Sequence, residues 1–149
     1  MINMENELFI WFYRGYVPQK GVPMNDDIIM FDTFDNIKNT FINKSEWMVM
    51  DYKPLPFPPI DERYKFPEKQ FLVIKKKIKE VLFAYIEYRY NVKIFSMELL
   101  TDLKNNGLND GYETAELLIV DKLGNKLTEK KYFALRFGSF DDDLFNFNG

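Results

Sequence analysis

The stretch 71–90, FLVIKKKIKEVLFAYIEYRY, constrains the fold most, because the spacing of its apolar residues changes part-way along. Phe71, Leu72, Val73 and Ile74 make a short apolar run of strand type, bounded by Pro67 on one side and lysines on the other. From Ile74 the apolar positions recur at Ile78, Val81, Leu82 and Tyr85, the three-and-four spacing of one helix face, which predicts a main helix over about 75–89. Lys75, Lys76, Lys77, Lys79 and Glu80 fall mostly on the opposite, watered face. Residues 92–100 (VKIFSMELL) are dense enough in apolar side chains to read as a second strand. Two parallel strands need a crossover, usually a helix, so the expected unit is strand, helix, strand.

Four lysines within positions 75–79 raise the question of a phosphate-binding surface. The chain carries 23 acidic against 20 basic residues, a net charge of -3, whereas nucleic-acid binders present a basic face with arginine or aromatic partners. The run is therefore read as a solvated helix face, with no nucleic-acid partner. With 46% hydrophobic and 17% aromatic residues over 149 positions, the chain can bury a sizeable core, and 1–149 reads as a single domain. It contains neither cysteine nor histidine. That removes disulfides, thiolate and imidazole metal sites, and every histidine-dependent triad. No catalytic residue, metal site or cofactor is expected. An enzyme would have to rely on carboxylates, lysine, tyrosine or serine.

At the amino-terminal end, the apolar run 8–13 is too short for a signal or membrane segment and reads as an aromatic strand; the expected location is the cytoplasm, with no membrane partner. Residues 17–23 read as a loop. Ile28 to Phe31 look strand-like, and Phe34, Ile37 and Phe41 sit at helical spacing, predicting a short helix over about 32–41 capped by Asp32 or Thr33. Residues 46–52 (EWMVMDY) read as a strand. The stretch 53–67 holds five of the seven prolines and reads as an extended connector packed by Leu55, Phe57 and Ile60, although Pro56 and Pro59 also match the spacing of a polyproline ligand.

Residues 102–113 (DLKNNGLNDGYE) have carboxylate and amide side chains near the positions of a calcium loop, but Lys104 places a cation where a ligand oxygen is needed, so a turn-rich loop is expected. Residues 116–121 and 131–137 predict a β-hairpin turning at Gly124 and Asn125. In its second arm Tyr132, Ala134 and Arg136 alternate with Phe133, Leu135 and Phe137. The tail 138–149 (GSFDDDLFNFNG) joins Asp141, Asp142 and Asp143 to Phe145 and its apolar neighbours. Adjacent carboxylates point apart and repel, so they make a poor metal cage and a better complement to a basic partner.

The order of features over 66–137 resembles a family of immunity proteins from bacterial polymorphic toxin systems. The resemblance lies in FPEKQFLVIKKKIKEVL, then NVKIFSMELL, then the terminal strand EKKYFALRF. It implies a non-enzymatic cytoplasmic protein that binds and neutralises a cognate toxin. The alternative from the residues alone is a small-ligand-binding domain or a carboxylate-based enzyme, and a third reading is a scaffold that self-associates through its tail. The expected architecture is α+β, a mixed sheet of about five to six strands with one main helix (75–89) packed on it and a carboxy-terminal hairpin. Asp141, Asp142, Asp143 and Phe145, with Tyr88 and Arg89 near the end of that helix, are the candidate partner-binding residues. The sequence leaves the oligomeric state open.

Overall fold

A computed structural model describes residues 19–48, 56–108 and 111–138. Among the described residues the fold is α+β: a six-stranded mixed sheet, one α-helix and a separate two-stranded hairpin. The strands are β1 (Ile28–Phe31), β2 (Thr33–Asp35), β3 (Thr40–Ile42), β4 (Lys69–Ile74), β5 (Tyr85–Tyr88), β6 (Val92–Ser96), β7 (Tyr112–Val120) and β8 (Tyr132–Phe137), with helix α1 (Met97–Asn105) between β6 and β7. The sheet order is β1-β4-β7-β8-β6-β5, and among the described strands β2 pairs only with β3. β4 and β7 run parallel, in register from Lys69 opposite Glu116 to Val73 opposite Val120, while every other neighbour pair is antiparallel.

The sheet curls until its two edges meet. The backbone N–H of Met30 in β1 donates to the Tyr88 hydroxyl of β5 at 3.1 Å, although these strands lie at opposite ends of the sheet order. Alternate residues of β4, β6, β7 and β8 point into the enclosed side, where Leu72, Ile74, Val92, Ile94, Leu117, Ile119 and Ala134 pack around Trp47, Phe66, Phe83 and Tyr132. The outer side carries a second cluster, in which Phe95 and Leu135 pack beneath Leu100 of α1. The β2–β3 hairpin brings Phe41 within 5.3 Å of Phe71 on β4.

The helix over 75–89 is not formed. Residues 75–84 are an irregular, largely extended strap, and Tyr85–Tyr88 is strand β5. Burial alternates from Val81 to Ala84, with Val81 and Phe83 buried and Leu82 and Ala84 exposed, and Ile86 is buried in the strand that follows. The spacing of Ile78, Val81, Leu82 and Tyr85 imitated a helix face because it omitted Phe83 and Ile86. No Ser, Thr, Asp or Asn stands ahead of Lys75 to cap a helix, and the strap's backbone groups are taken elsewhere. Lys75 N–H donates to the Asp27 carbonyl (2.7 Å), Leu82 N–H to Gly21 (2.8 Å) and Ser96 N–H to Ala84 (2.8 Å).

The helix occurs instead where the second strand was expected to end. Ser96 caps α1 by accepting from Leu99 N–H at 3.3 Å, Glu98 sits in the first turn and Lys104 in the last, as the helix dipole favours. The predicted strand 92–100 is thus β6 followed by the first turn of α1, and the expected polar loop from 101 begins as helix. The partner expected to run parallel to β4 is not this strand but β7.

The helix over 32–41 is a hairpin. Phe34 and Phe41 are cross-strand partners 4.7 Å apart, and the Asp35 carboxylate accepts from Ile37 and Lys38 N–H to set the turn. Asp32 caps no helix; its carboxylate accepts from Lys44 and Ser45 N–H. Ile28 to Phe31 form β1 as expected, and the carboxy-terminal hairpin is present as β7 and β8. Residues 46–48, the described part of the 46–52 stretch, are not strand; Trp47 is fully enclosed, and its carbonyl accepts from Arg136. In the proline-rich connector Phe57 is half-buried, but Ile60 is 80% exposed and packs nothing. Leu55 and the aromatic run 8–13 lie outside the described residues.

One buried charge ties these parts together. Arg136 of β8 is fully buried, opposite Glu113 of β7, to whose Oε2 its Nε donates at 2.6 Å. Its remaining nitrogens donate to the Trp47 carbonyl (2.7 Å) and the Tyr64 carbonyl (2.8 Å), while the Phe66, Trp47 and Phe57 rings lie 5.3, 5.7 and 6.0 Å from the guanidinium carbon. Glu113 uses Oε1 to accept from Phe66 N–H (3.0 Å). Removing one partner of a buried pair strands the other, at a cost of about 3–5 kcal/mol. Arg136→Ala should lower unfolding free energy in urea by that amount. Exchanging the pair for Met and Leu should remain destabilising, because the Trp47 and Tyr64 carbonyls lose their donors.

Tyr132 offers a second test. Its hydroxyl donates to the Phe83 carbonyl at 2.6 Å, and burial, helped by the charge of Glu98, pushes its pKa from an ordinary value of 10.0 up to about 12. The folded chain therefore keeps a proton that the unfolded chain releases, so stability falls as pH rises from about 10 towards about 12 and levels off beyond. Denaturant midpoints measured across that window should fall less steeply for Tyr132→Phe than for the wild type.

Candidate binding surface

Tyr88 and Arg89 stand not at a helix end but where β5 turns into β6. Tyr90 and Asn91 both take φ of 61°, the left-handed pair that a two-residue hairpin turn requires, and Val92 N–H donates back to the Arg89 carbonyl. The turn is docked from beneath: Asn91 Nδ2 donates to the Phe137 carbonyl (2.6 Å), and Phe137 N–H returns a bond to the Asn91 carbonyl (3.1 Å). Arg89 is thus presented, exposed, on a fixed corner.

Tyr88 has a structural task as well. Its ring packs against the enclosed core and its hydroxyl receives the Met30 N–H, while burial pushes the phenol's pKa above its ordinary value. A cleft of about 230 Å³ opens beside it, lined by Asn25, Asp26, Ile28, Glu87, Tyr88 and Arg89. It lies between β1 and β5, the two ends of the strand order. Asn43 stands at the same β1 edge, its Oδ1 accepting from Asp32 N–H (3.0 Å) and its Nδ2 donating to the Met30 carbonyl at a longer 3.5 Å. The corner therefore combines one exposed guanidinium, two carboxylates and an amphipathic ring whose position is fixed from within.

Asp141, Asp142, Asp143 and Phe145 lie outside the described residues. The structure joins Tyr88 and Arg89 to Asp26 and Glu87, which the sequence reading did not single out. The signal was weak, for Asp26 comes to the cleft only through the curl of the sheet. Arg136 was more legible: an arginine on the same alternating face as Tyr132 and Ala134 has to find a buried acid. Among the described residues no group of three or more acidic, histidine or cysteine side chains is placed to hold a metal ion. Nor is any described helix long and apolar enough to cross a membrane. The most concentrated polar constellation, Arg136 with Glu113, is enclosed and serves the fold.

The described residues define a small α+β protein. A family model, Immunity protein 43, matches residues 15–149, and the chain belongs to that family of immunity proteins, which neutralise a cognate toxin and are typically non-catalytic. No curated protein and no solved structure matches the chain.

Tyr88→Phe removes the hydroxyl that joins the two sheet edges and leaves Met30 N–H without its partner, at a cost of about 1 kcal/mol. Hydrogen exchange of the Met30 amide should accelerate in this variant, whereas that of the β7–β8 amides should change little.

Proposed function

We propose that the chain neutralises its toxin by direct, stoichiometric binding in the cytoplasm, without a chemical step. The observation that carries this reading is the family match over residues 15–149. The surface supports it: Arg89 and Tyr88 occupy a rigid turn beside a cleft with mixed charge, and such pre-positioned groups lose little freedom on association. The acidic and aromatic tail, Asp141, Asp142 and Asp143 with Phe145, is proposed as a second contributor, since carboxylates steer a basic partner and aromatic rings hold it. The enzyme alternative would need convergent carboxylates in an enclosed site; the described cleft instead places Asp26 and Glu87 at an open rim with Arg89.

Co-expression with the product of the neighbouring upstream gene tests the reading. Host growth should be restored, and the two chains should copurify with a fixed mass ratio. Restored growth without any complex would rule out direct binding. Arg89→Glu and reversal of Asp141, Asp142 and Asp143 to Lys should each weaken capture by about tenfold if these groups meet the partner.

A further inference from the structure

Parallel strands end on the same side of a sheet. Because β4 and β7 are parallel neighbours, the connections that leave them, 75–84 and 121–131, emerge side by side. Both are rich in lysine: Lys75, Lys76, Lys77 and Lys79 in the first, Lys122, Lys126, Lys130 and Lys131 in the second. Between them lies an open depression with Ile74, Ile78, Leu123 and Leu127 in its lining, and Leu123 is 79% exposed. A second depression continues from Ile74 and Ile78 towards Lys20 and Gly21.

The positive charge of this end is unspent. Lys126 pairs with Glu129 at 3.0 Å, but Lys20, Lys75, Lys76, Lys77, Lys79 and Lys122 form no ion pair among the described residues. The nearby Asp121 carboxylate is occupied by Leu123 and Asn125 N–H. The backbone beneath the lysines is fixed, with Lys75 held by Asp27, Leu82 by Gly21, and Val81 and Phe83 buried. Gly21 is needed there: its φ is +73°, and a Cβ would come within 2.5 Å of Leu82. Six lysines that form no ion pair among the described residues, on one end of a chain whose net charge is -3, make the molecule strongly polar.

We propose that this lysine-ringed, aliphatic-centred end is a docking face for an acidic surface of the cognate toxin. The proposal rests on direct binding and names the chemistry of the partner's surface. Like charges held on an anchored strap repel one another until an opposite surface arrives, and they raise the rate of encounter with it. The exposed Leu123 and half-buried Ile78 supply the apolar centre that a protein interface has and a purely ionic contact lacks. A protein is favoured over a nucleic acid because the described residues lining both depressions include no arginine and no aromatic ring on which a base would stack.

The test compares association of the full-length chain with the neighbouring gene's toxin at several salt concentrations. The variant Lys76→Glu, Lys77→Glu, Lys79→Glu is set against a control with the same charge change, Lys38→Glu, Lys44→Glu, Lys104→Glu; all six side chains belong to exposed residues. The first should associate at least about tenfold more slowly and lose the wild-type decline of rate with salt, the control staying within about twofold. Leu123→Asp should shorten the lifetime of the complex. Equal behaviour of the two triple variants overturns the proposal, whether both bind normally or both are weakened. So does a lysine-strap variant that keeps its toxin affinity while losing affinity for a single-stranded RNA oligonucleotide. If the wild type captures no toxin, direct binding fails and the docking face falls with it; if the wild type captures toxin and the strap variant does so equally well, only the docking face falls.

Discussion

A guanidinium buried between two strands and three aromatic rings is the interaction on which the arrangement depends. Glu113 beside Arg136 and two backbone carbonyls in front supply the partners that its buried charge requires. Those carbonyls belong to Trp47 and Tyr64, in segments that are not part of the sheet. Meeting the needs of one cation therefore fixes where the long passage between β3 and β4 crosses the sheet. Phe66 arrives through the same group, its N–H on Glu113 and its ring against Trp47 at 4.9 Å. An apolar core alone would tolerate several placements of these segments, whereas hydrogen-bond directions accept far fewer.

Legibility in the sequence followed the range of the interaction that decided each element. The hairpin of β7 and β8 is set by local alternation and a turn at Gly124, so it could be read directly. Segment 75–89 is decided by contacts with Gly21, Asp27, Ser96 and Tyr132, far away in the chain, and local spacing pointed to the wrong period. The spacing of Phe34 and Phe41 misled for a related reason, since residues seven apart also meet across a short hairpin. The true helix did leave a local trace, a serine cap with glutamate two residues later, but VKIFSMELL is apolar enough to hide it.

Tyr88 and Arg89 were expected near the end of a helix, and the structure puts them instead where β5 turns into β6, with Arg89 exposed and Tyr88 packed against the core. The lysines were read as a solvated face of a helix, and solvated they are. Their companionship with the lysines of the 121–131 connection depends on the parallel pairing of β4 with β7, which no local pattern announces. A chain that is acidic on average can thus have a basic end, and composition reports only the average.

The edge of β1 carries one more implication. At Met30 and Asp32 the places of a neighbouring strand's backbone are taken by the phenol of Tyr88 and the amide of Asn43. A foreign strand arriving there would have to expel two side chains before it found a free ladder, so the edge is a poor template for stacking copies into a growing fibre. Two side chains at one sheet edge thus help copies of the chain to stay dispersed when crowded with their own kind.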